Sequence, residues 1–549
     1  MNKRWMFSVL IGLPLLFSCQ DQLWEEHYGK TTTESQQNAM EVLRQDGHFT
    51  KFCALLEATG MDSVLQSAQT FTIWAPTDQA LSNYTLDEHT VKQLIKNHVS
   101  RFVYGRNDLV DTASMRIQML NGKYHWFERQ GSALRFAGID FMQKGIPAKN
   151  AIIYPMDALA PFLYNLWERT AGGPDTDSLY SYLSGFDTYT FMPTWSTPIG
   201  KNKYGQTVYD SVFDYRNDWA RRFGFVYLED SIYTMIVPKN NAWIEAYSRI
   251  EPYFKTFGSM IADNSSTSSI IVRRTYQTND AIADSIARAH TKEVLVQDLV
   301  FRKVFDVHQV DGDSLFSSSG NVFHHPAYLF ERSSPVEASN GRYYLVDKLL
   351  HKPIESWHKP ILVEAEQQSG RAFNYASIVN RSTVETAFVD SVSGLSYLEV
   401  NPTSTNALFQ PQVSFDIPNV LAATYNIYVV CAPPQAYDSL AAEEVTKLQF
   451  YLNYVHADGS MKEDAAIRTM DGTEFITNGR GMTRFLVAKE FTFPFANYTT
   501  SPFSETDKQT VNVKIRIMTN VRAAETAVYN RTMRIDYILF EPVTKESNE

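Results

Sequence analysis

The chain has 549 residues, 44% hydrophobic and 20% charged, with 61 acidic against 50 basic residues and a net charge of -11. At roughly 150 residues per domain this is material for about three or four domains, and it excludes a disordered or fibrous chain. The acidic balance argues against a protein that binds nucleic acid through its general field, and three Cys exclude a disulfide scaffold or a Cys-rich zinc module.

The first element in chain order is a leader. Lys3 and Arg4 precede an apolar stretch from Trp5 to Phe17, followed by Ser18-Cys19. The stretch has the length of a signal h-region and is too short to span a bilayer comfortably. A small residue just before Cys resembles a bacterial lipobox. That resemblance implies cleavage before Cys19 and lipidation of its thiol; an ordinary secretory peptide is the alternative. Two or three acyl chains anchor stably where one does not. The tether from Gln20 to Tyr28 is acidic and ends in aromatics. It resembles the start of outer-membrane lipoproteins of Bacteroidota, which implies surface display more than a periplasmic location. No later run of about 18 apolar residues follows, so lipid is the expected membrane attachment. Cys53 and Cys431 fall in different apparent domains and read as free buried thiols.

An internal repeat organises the next part. Phe71-Thr72-Ile73-Trp74-Ala75-Pro76-Thr77-Asp78 recurs as Tyr233-Thr234-Met235-Ile236-Val237-Pro238-Lys239-Asn240, at an offset of 162. The segment from Ala148 to Leu159 recurs from Ala338 to Leu349, at an offset of 190. Between them Leu94 to Val99 aligns with Leu299 to Val304, at an offset of 205. The second copy therefore carries an insertion, placed within Ile250 to Glu293, and a second elaboration from Phe186 to Trp219. Phe71 to Trp74 reads as a strand that Pro76 ends. Thr77 or Asp78 is placed to cap the helix that follows. Asn121-Gly122 and Asn340-Gly341 supply tight hairpin turns.

These blocks resemble the fasciclin domain, whose pattern runs through a Thr-x-Phe-Ala-Pro-Thr-Asp strand end, a helix ending in His-Val, an Asn-Gly hairpin and a closing Asn-Gly-x-Ile strand. The first copy keeps Thr72, Ala75, Pro76, Thr77, Asp78, His98-Val99, Asn121-Gly122 and Asn150. The second departs more, with Lys239-Asn240 for Thr-Asp and Lys303 in place of the His. The resemblance covers residues 30–355. It implies adhesion or matrix-binding modules without shared catalytic residues.

The last third alternates. Val513 to Met518 and Met533 to Phe540 follow a period of two, which reads as an antiparallel sandwich. The opening Val363-Glu364-Ala365-Glu366, the Tyr425 to Val430 strand and the closing Ile535-Asp536-Tyr537 look like galactose-binding-type jelly rolls. In such folds a structural calcium often uses the acids of the first and last strands, here Glu364, Glu366 and Asp536, and hard oxygen ligands suit calcium. The residues by themselves read equally as ordinary strand acids. Sugar binding needs an exposed aromatic platform. Beyond Trp357 this third has no Trp, which leaves Tyr437, Tyr451, Tyr454 and Tyr498 as candidates, none distinguished by motif. The elaborated region, with Trp195, Tyr204 and Trp219, is the better candidate contact surface; a loop that packs its own aromatics is the alternative.

No Gly-rich nucleotide loop, zincin His-Glu pattern or Gly-x-Ser-x-Gly elbow occurs. His324 and His325 with Asp311 and Asp313 match no metal-site spacing. Nine Asp-(Ser/Thr)-aliphatic tripeptides place Ser63, Thr112, Ser178, Ser211, Ser231, Ser285, Ser314, Ser391 and Ser439 in sequences that resemble the O-glycosylation acceptor of exported Bacteroidota proteins; composition alone predicts about two.

The expected organisation is a signal peptide (1–18), a tether (19–30), two α+β fasciclin-like repeats (31–165 and 166–357) and an all-β jelly-roll sandwich (358–549). The expected function is that of a non-enzymatic, lipid-anchored envelope protein, accessory to a Sus-type outer-membrane porin and lipoprotein complex. A glycan-binding protein using the sandwich and an unrecognised hydrolase are the alternatives; a glycan or peptide is the expected ligand, and nucleic acid is not.

Overall fold

The structure, a computed structural model, describes residues 35–543 apart from 68, 83–87, 106–107, 110–113, 131–132, 142–143, 174, 195–196, 202, 211–212, 258, 265–269, 306–313, 332, 384–386, 470 and 499–512. The leader with Cys19 lies outside the described residues, as do Thr112, Trp195, Ser211, Asp311 and Asp313. Among the described residues no helix is long and apolar enough to cross a membrane. The chain divides into two compact units, Met1–Tyr164 and Asn165–Glu549.

In the first unit Phe71–Pro76 is buried at every position. It pairs in parallel with Ala151–Met156, and antiparallel strands Val99–Arg101 and Ile146–Ala148 complete a four-stranded sheet. A parallel pair needs cover on both faces. Helices Ala39–Gln45, Thr50–Ala58 and Met61–Leu65 supply buried side chains to one hydrophobic cluster. A separate antiparallel meander, Ser114–Gln118, Tyr124–Gln130, Ala133–Phe136 and Ile139–Phe141, shares a second cluster with Trp74 and Tyr154. Gly122 sits at φ 84°, as the Asn121-Gly122 turn requires.

The second unit repeats this sheet with Val300–Arg302, Tyr233–Pro238, Gly341–Val346 and Ser333–Ala338. Phe71 pairs with Ala151 and Tyr233 with Gly341, so the two end blocks hold the same register. The middle block is corrected. Ile73 pairs with Val99, and the corresponding Met235 pairs with Val300. Trp74 N–H donates to His98 O, and Ile236 N–H donates to Leu299 O. Leu299, not Lys303, therefore stands where His98 stands. The discrepancy is four residues, about one helical turn, which leaves an apolar helix face unchanged and makes such an alignment degenerate.

One Asn ties each copy together, in the same way in both. Asn150 Oδ1 accepts from Ala39 N–H and its Nδ2 donates to Leu65 O and Ser67 O. Asn340 Oδ1 accepts from Leu166 N–H and its Nδ2 donates to Val226 O and Leu228 O. The helices so held, Ala39–Gln45 and Leu166–Gly172, both begin with a capping box, Asn38 with Glu41 and Asn165 with Glu168. Asp78 does not cap a helix after it. Its carboxylate accepts from Lys51 N–H at 2.7 Å, at the start of the earlier helix Thr50–Ala58. Asn240 does the same for Ser178 N–H in helix Asp177–Ser184. The helix end sits against the strand end, so the cap is tertiary and not local.

The sandwich pairs a six-stranded sheet around Met533–Pro542 with a sheet that includes Arg371–Asn374, Gln412–Asp416, Lys514–Thr519, Lys447–Val455 and Ser460–Glu463. The insertion in the second repeat is a hairpin, Ser259–Asn264 with Arg274–Thr278, that continues this second sheet: Arg274 pairs with Met461 and Thr275 with Ser460. Ala496 N–H donates to Lys255 O, and Ala422 N–H to Tyr253 O. One hydrophobic cluster runs from Trp219 and Val296 of the repeat to Ile517 and Phe540 of the sandwich. The junction is thus a shared core and a shared sheet.

Candidate functional site

The Phe186 to Trp219 elaboration forms a two-stranded arm. Asp187–Phe191 pairs with Phe213–Asn217, placing Tyr189 opposite Tyr215 and Phe191 opposite Phe213. Residues two apart on a strand share a face, so these four rings make one ladder. Ring centroids are 5.1 Å apart in the Tyr pair and 5.7 Å in the Phe pair. Tyr189 is 64% exposed and Phe213 53%. The root is fastened: Tyr215 Oη donates to Asp187 Oδ1 at 2.9 Å, and Asn217 Nδ2 donates to the same oxygen at 2.7 Å. Burial and the Asp187 acceptor push the Tyr215 hydroxyl far above the ordinary tyrosine range, so it remains a donor. Tyr204, on the hairpin beyond, is 76% exposed with Lys203 Nζ 5.0 Å from its ring centre.

Trp219 is corrected as a contact residue. It is fully buried, and its Nε1 donates to Val296 O at 3.4 Å. It lies in helix Asp218–Phe223, which Asn217 caps and which turns the arm's last residue into the core. Tyr189 and Phe213 carry the exposed surface instead. Their signal in the sequence is the alternation Asp-Thr-Tyr-Thr-Phe against Phe-Asp-Tyr-Arg-Asn, an aromatic at every second residue on two facing strands.

The sandwich tyrosines do not form one platform. Tyr437 is 54% exposed, with the Arg381 guanidinium 4.5 Å from its ring centre. Tyr454 lies in strand Lys447–Val455. Its Oη donates to Asp464 Oδ2 at 3.0 Å, and its ring packs on His456, Phe491 and Phe493. Burial and the Asp464 carboxylate push its hydroxyl up to about 12.

Glu364, Glu366 and Asp536 do come together. Asp536 is the bulged residue between the pairs Val430–Tyr537 and Cys431–Ile535, which breaks the strand's alternation and turns its side chain inward. Ser393 stands between the acids: its N–H donates to both Asp536 oxygens at 3.1 and 3.2 Å, and its Oγ donates to Glu364 Oε1 at 2.5 Å. Glu364 Oε2 and Glu366 Oε2 are buried without a partner. Burial, with the charges of Glu364 and Glu366 behind it, raises the Asp536 carboxyl to about 7. Glu366 is raised as well, by burial first and by Glu364. Among the described residues no three His, Cys, Asp or Glu side chains are arranged to hold a metal ion. Ser393 thus bridges Asp536 and Glu364.

His98 is fully buried; Ala160 N–H donates to its Nε2 and Leu94 O accepts from its Nδ1. Burial lowers it to about 4, so it is a neutral core residue. Cys53 and Cys431 are buried free thiols, both raised by burial. His324 Nδ1 lies 3.0 Å from Ser314 Oγ. Of the acceptor-like residues, Ser63, Ser285, Ser314, Ser391 and Ser439 are exposed, and Ser178 and Ser231 are half-buried. Ser63, Ser178 and Ser285 lie within helices, and Ser391 and Ser439 in turns.

Residues 47–160 match the Fasciclin domain. No curated protein sequence matches the chain. Among solved structures, the FAS1 domain pair of the insect cell adhesion molecule fasciclin I aligns over 57% of this chain and 99% of its own, at 11% identity and TM-score 0.21. A family 22 carbohydrate-binding module of Clostridium thermocellum aligns over 32% and 88%, at 14% identity and TM-score 0.20. A family 35 module from the same organism aligns over 34% and 99%, at 9% and 0.17. These superpositions are loose; the fold rests on the domain match and on the strand registers.

Proposed function

We propose that the protein is a non-enzymatic, lipid-anchored binding protein of a bacterial outer surface, accessory to a Sus-type porin and lipoprotein complex. The observation that carries the reading is the arm: four aromatic rings in one ladder, two of them more than half exposed, on a hairpin rooted in a fasciclin-like repeat. Exposed rings at this density favour contact with another surface over solvent. The Ser18-Cys19 leader motif supports the lipid anchor, and the acidic tether supports display outside the membrane. O-glycosylation belongs to the same reading, with Ser391 and Ser439 the best placed because a turn presents its hydroxyl without unwinding a helix.

The test is co-purification of tagged protein from native membranes, with a Tyr189→Ala/Phe213→Ala double variant beside it. The wild type brings down a porin or partner lipoprotein and the variant loses it. Recovery of no envelope partner refutes the accessory role. A second reading, glycan binding on the sandwich, rests on the exposure of Tyr437. A glycan array with the full chain and with Tyr437→Ala separates the two.

A further inference from the structure

The arm of the second repeat has an edge as well as a face. Asp187–Phe191 and Phe213–Asn217 form a sheet of two strands, and no third strand joins it among the described residues. Each strand therefore keeps one unpaired row of backbone N–H and C=O groups. Ribbons of two strands are marginal alone and gain from a further strand. Natural edges are commonly blunted by Pro, Lys or a bulge. The edge strand Phe213–Asn217 has none of these: it reads Phe-Asp-Tyr-Arg-Asn, and its register against Asp187–Phe191 runs without a shift.

The direction of the outer groups follows from one bond. Asp218 N–H donates to Phe186 O at 3.2 Å, next to the pair Asn217–Asp187. Antiparallel pairs alternate between bonded and non-bonded, so Arg216 and Asp214 turn their backbone groups inward to Thr188 and Thr190, and Phe213 and Tyr215 turn theirs to the open edge. Side chains alternate too. Phe213 and Tyr215 belong to the aromatic face; Asp214 and Arg216 stand on the opposite face, both exposed. Asp214 has no ion-pair partner among the described residues. Arg216 Nε lies 3.7 Å from Asp218 Oδ1, an oxygen that Arg221 Nη2 also approaches at 3.6 Å. Asp218 thus serves two guanidiniums while Asp214 serves none.

We propose that two copies of this chain pair through this edge, antiparallel, about a two-fold axis at Tyr215. The strand is complementary to itself in that register. Tyr215 lies opposite Tyr215 of the second copy and exchanges both backbone bonds with it. Asp214 lies opposite Arg216 of the second copy, and Arg216 opposite Asp214. These charged pairs are of the non-hydrogen-bonded kind, whose side chains approach most closely. The contact is isologous, so the same complementary pair occurs twice. Sliding the pair by two residues sets Asp214 against Asp214 or Arg216 against Arg216. A foreign strand offers the same backbone bonds, and the charge pattern is what selects the strand's own copy. Residues directly opposite share a face, so the two aromatic ladders join into one surface. The pairing uses the arm's edge and leaves its aromatic face open, so it stands or falls separately from the accessory role.

Sedimentation velocity on the full chain, purified alone and examined from about 1 to about 500 μM, tests the pairing. An edge this short buries less than a stable dimer needs, so the expected dissociation constant is about 10 to 100 μM. Asp214→Arg and Arg216→Asp each set like charges opposite one another in both pairs, and each should weaken the dimer at least about tenfold. Mixed in equal amounts, the two variants face each other with opposite charges in both pairs and should recover the dimer to within about threefold of wild type. Circular dichroism of each variant alone checks that it is folded. Tyr189→Ala, on the other strand, should leave the constant unchanged. A wild-type chain that is monomeric at about 500 μM overturns the proposal. So does a dimer that both charge variants leave intact, a mixture of folded variants that fails to recover, or a dimer that Tyr189→Ala dissolves.

Discussion

Asp536→Asn should stabilise the second unit above neutral pH. The Asp536 carboxyl holds its proton up to about 7 in the folded protein, against 3.8 ordinarily. The folded state therefore binds more protons than the unfolded chain between about pH 4 and 7, and stability falls as pH rises through that window. Above about 7 the side chain is ionised, fully buried, with Glu364 and Glu366 beside it. Each pKa unit is worth about 1.4 kcal/mol, which sets an upper limit of about 4 kcal/mol; local relaxation reduces it to about 2. An Asn amide keeps an acceptor for Ser393 N–H and cannot ionise. For a unit this large, with an m-value of about 4 kcal/mol/M, the urea midpoint at pH 8 should rise by about 0.5 to 1 M, and the gap to wild type should narrow to roughly two-fifths of that at pH 5, closing only near pH 4. Urea unfolding of both proteins from pH 5 to 8 checks this. A variant less stable than wild type at pH 8, or a difference that does not change with pH, refutes the assignment of a protonated Asp536. Millimolar calcium should leave the wild-type midpoint unmoved; a rise that Asp536→Asn abolishes would show that the acids close on a cation after all.

Trp219→Ala should destabilise the second unit by about 3 to 5 kcal/mol, while Tyr204→Ala stays within about 0.5 kcal/mol; thermal unfolding distinguishes a core ring from a surface one. Gly341→Ala should cost at least about 3 kcal/mol, because a Cβ there would stand 1.9 Å from Tyr233 O at φ 150°, although the first copy carries Ala151 at the matching place with an ordinary backbone. Loss of soluble expression would report the same clash. Intact mass of protein purified from its native envelope should exceed polypeptide plus lipid, with Ser391→Ala or Ser439→Ala removing a glycan increment; a mass with no excess refutes glycosylation.

The sequence by itself determined the repeat, its end registers and the strand-rich tail. Phe71 and Tyr233 begin matching strand-to-Pro patterns, and such signals are local: alternation, a Pro that stops a ladder, an Asn-Gly that turns one. Tertiary structure decided the rest. The middle block slipped by four residues because helical periodicity is blind to a shift of about one turn. Asp78 caps a helix that precedes it, since a cap needs a nearby N–H in space and not in sequence. Trp195, Tyr204 and Trp219 look alike as aromatic residues; only packing shows that Trp219 belongs to the core, and that Tyr189 and Phe213 present the ladder. The join of the second repeat to the sandwich has no sequence signature at all: Arg274 of the inserted hairpin pairs with Met461 and Thr275 with Ser460, partners that no local pattern brings together.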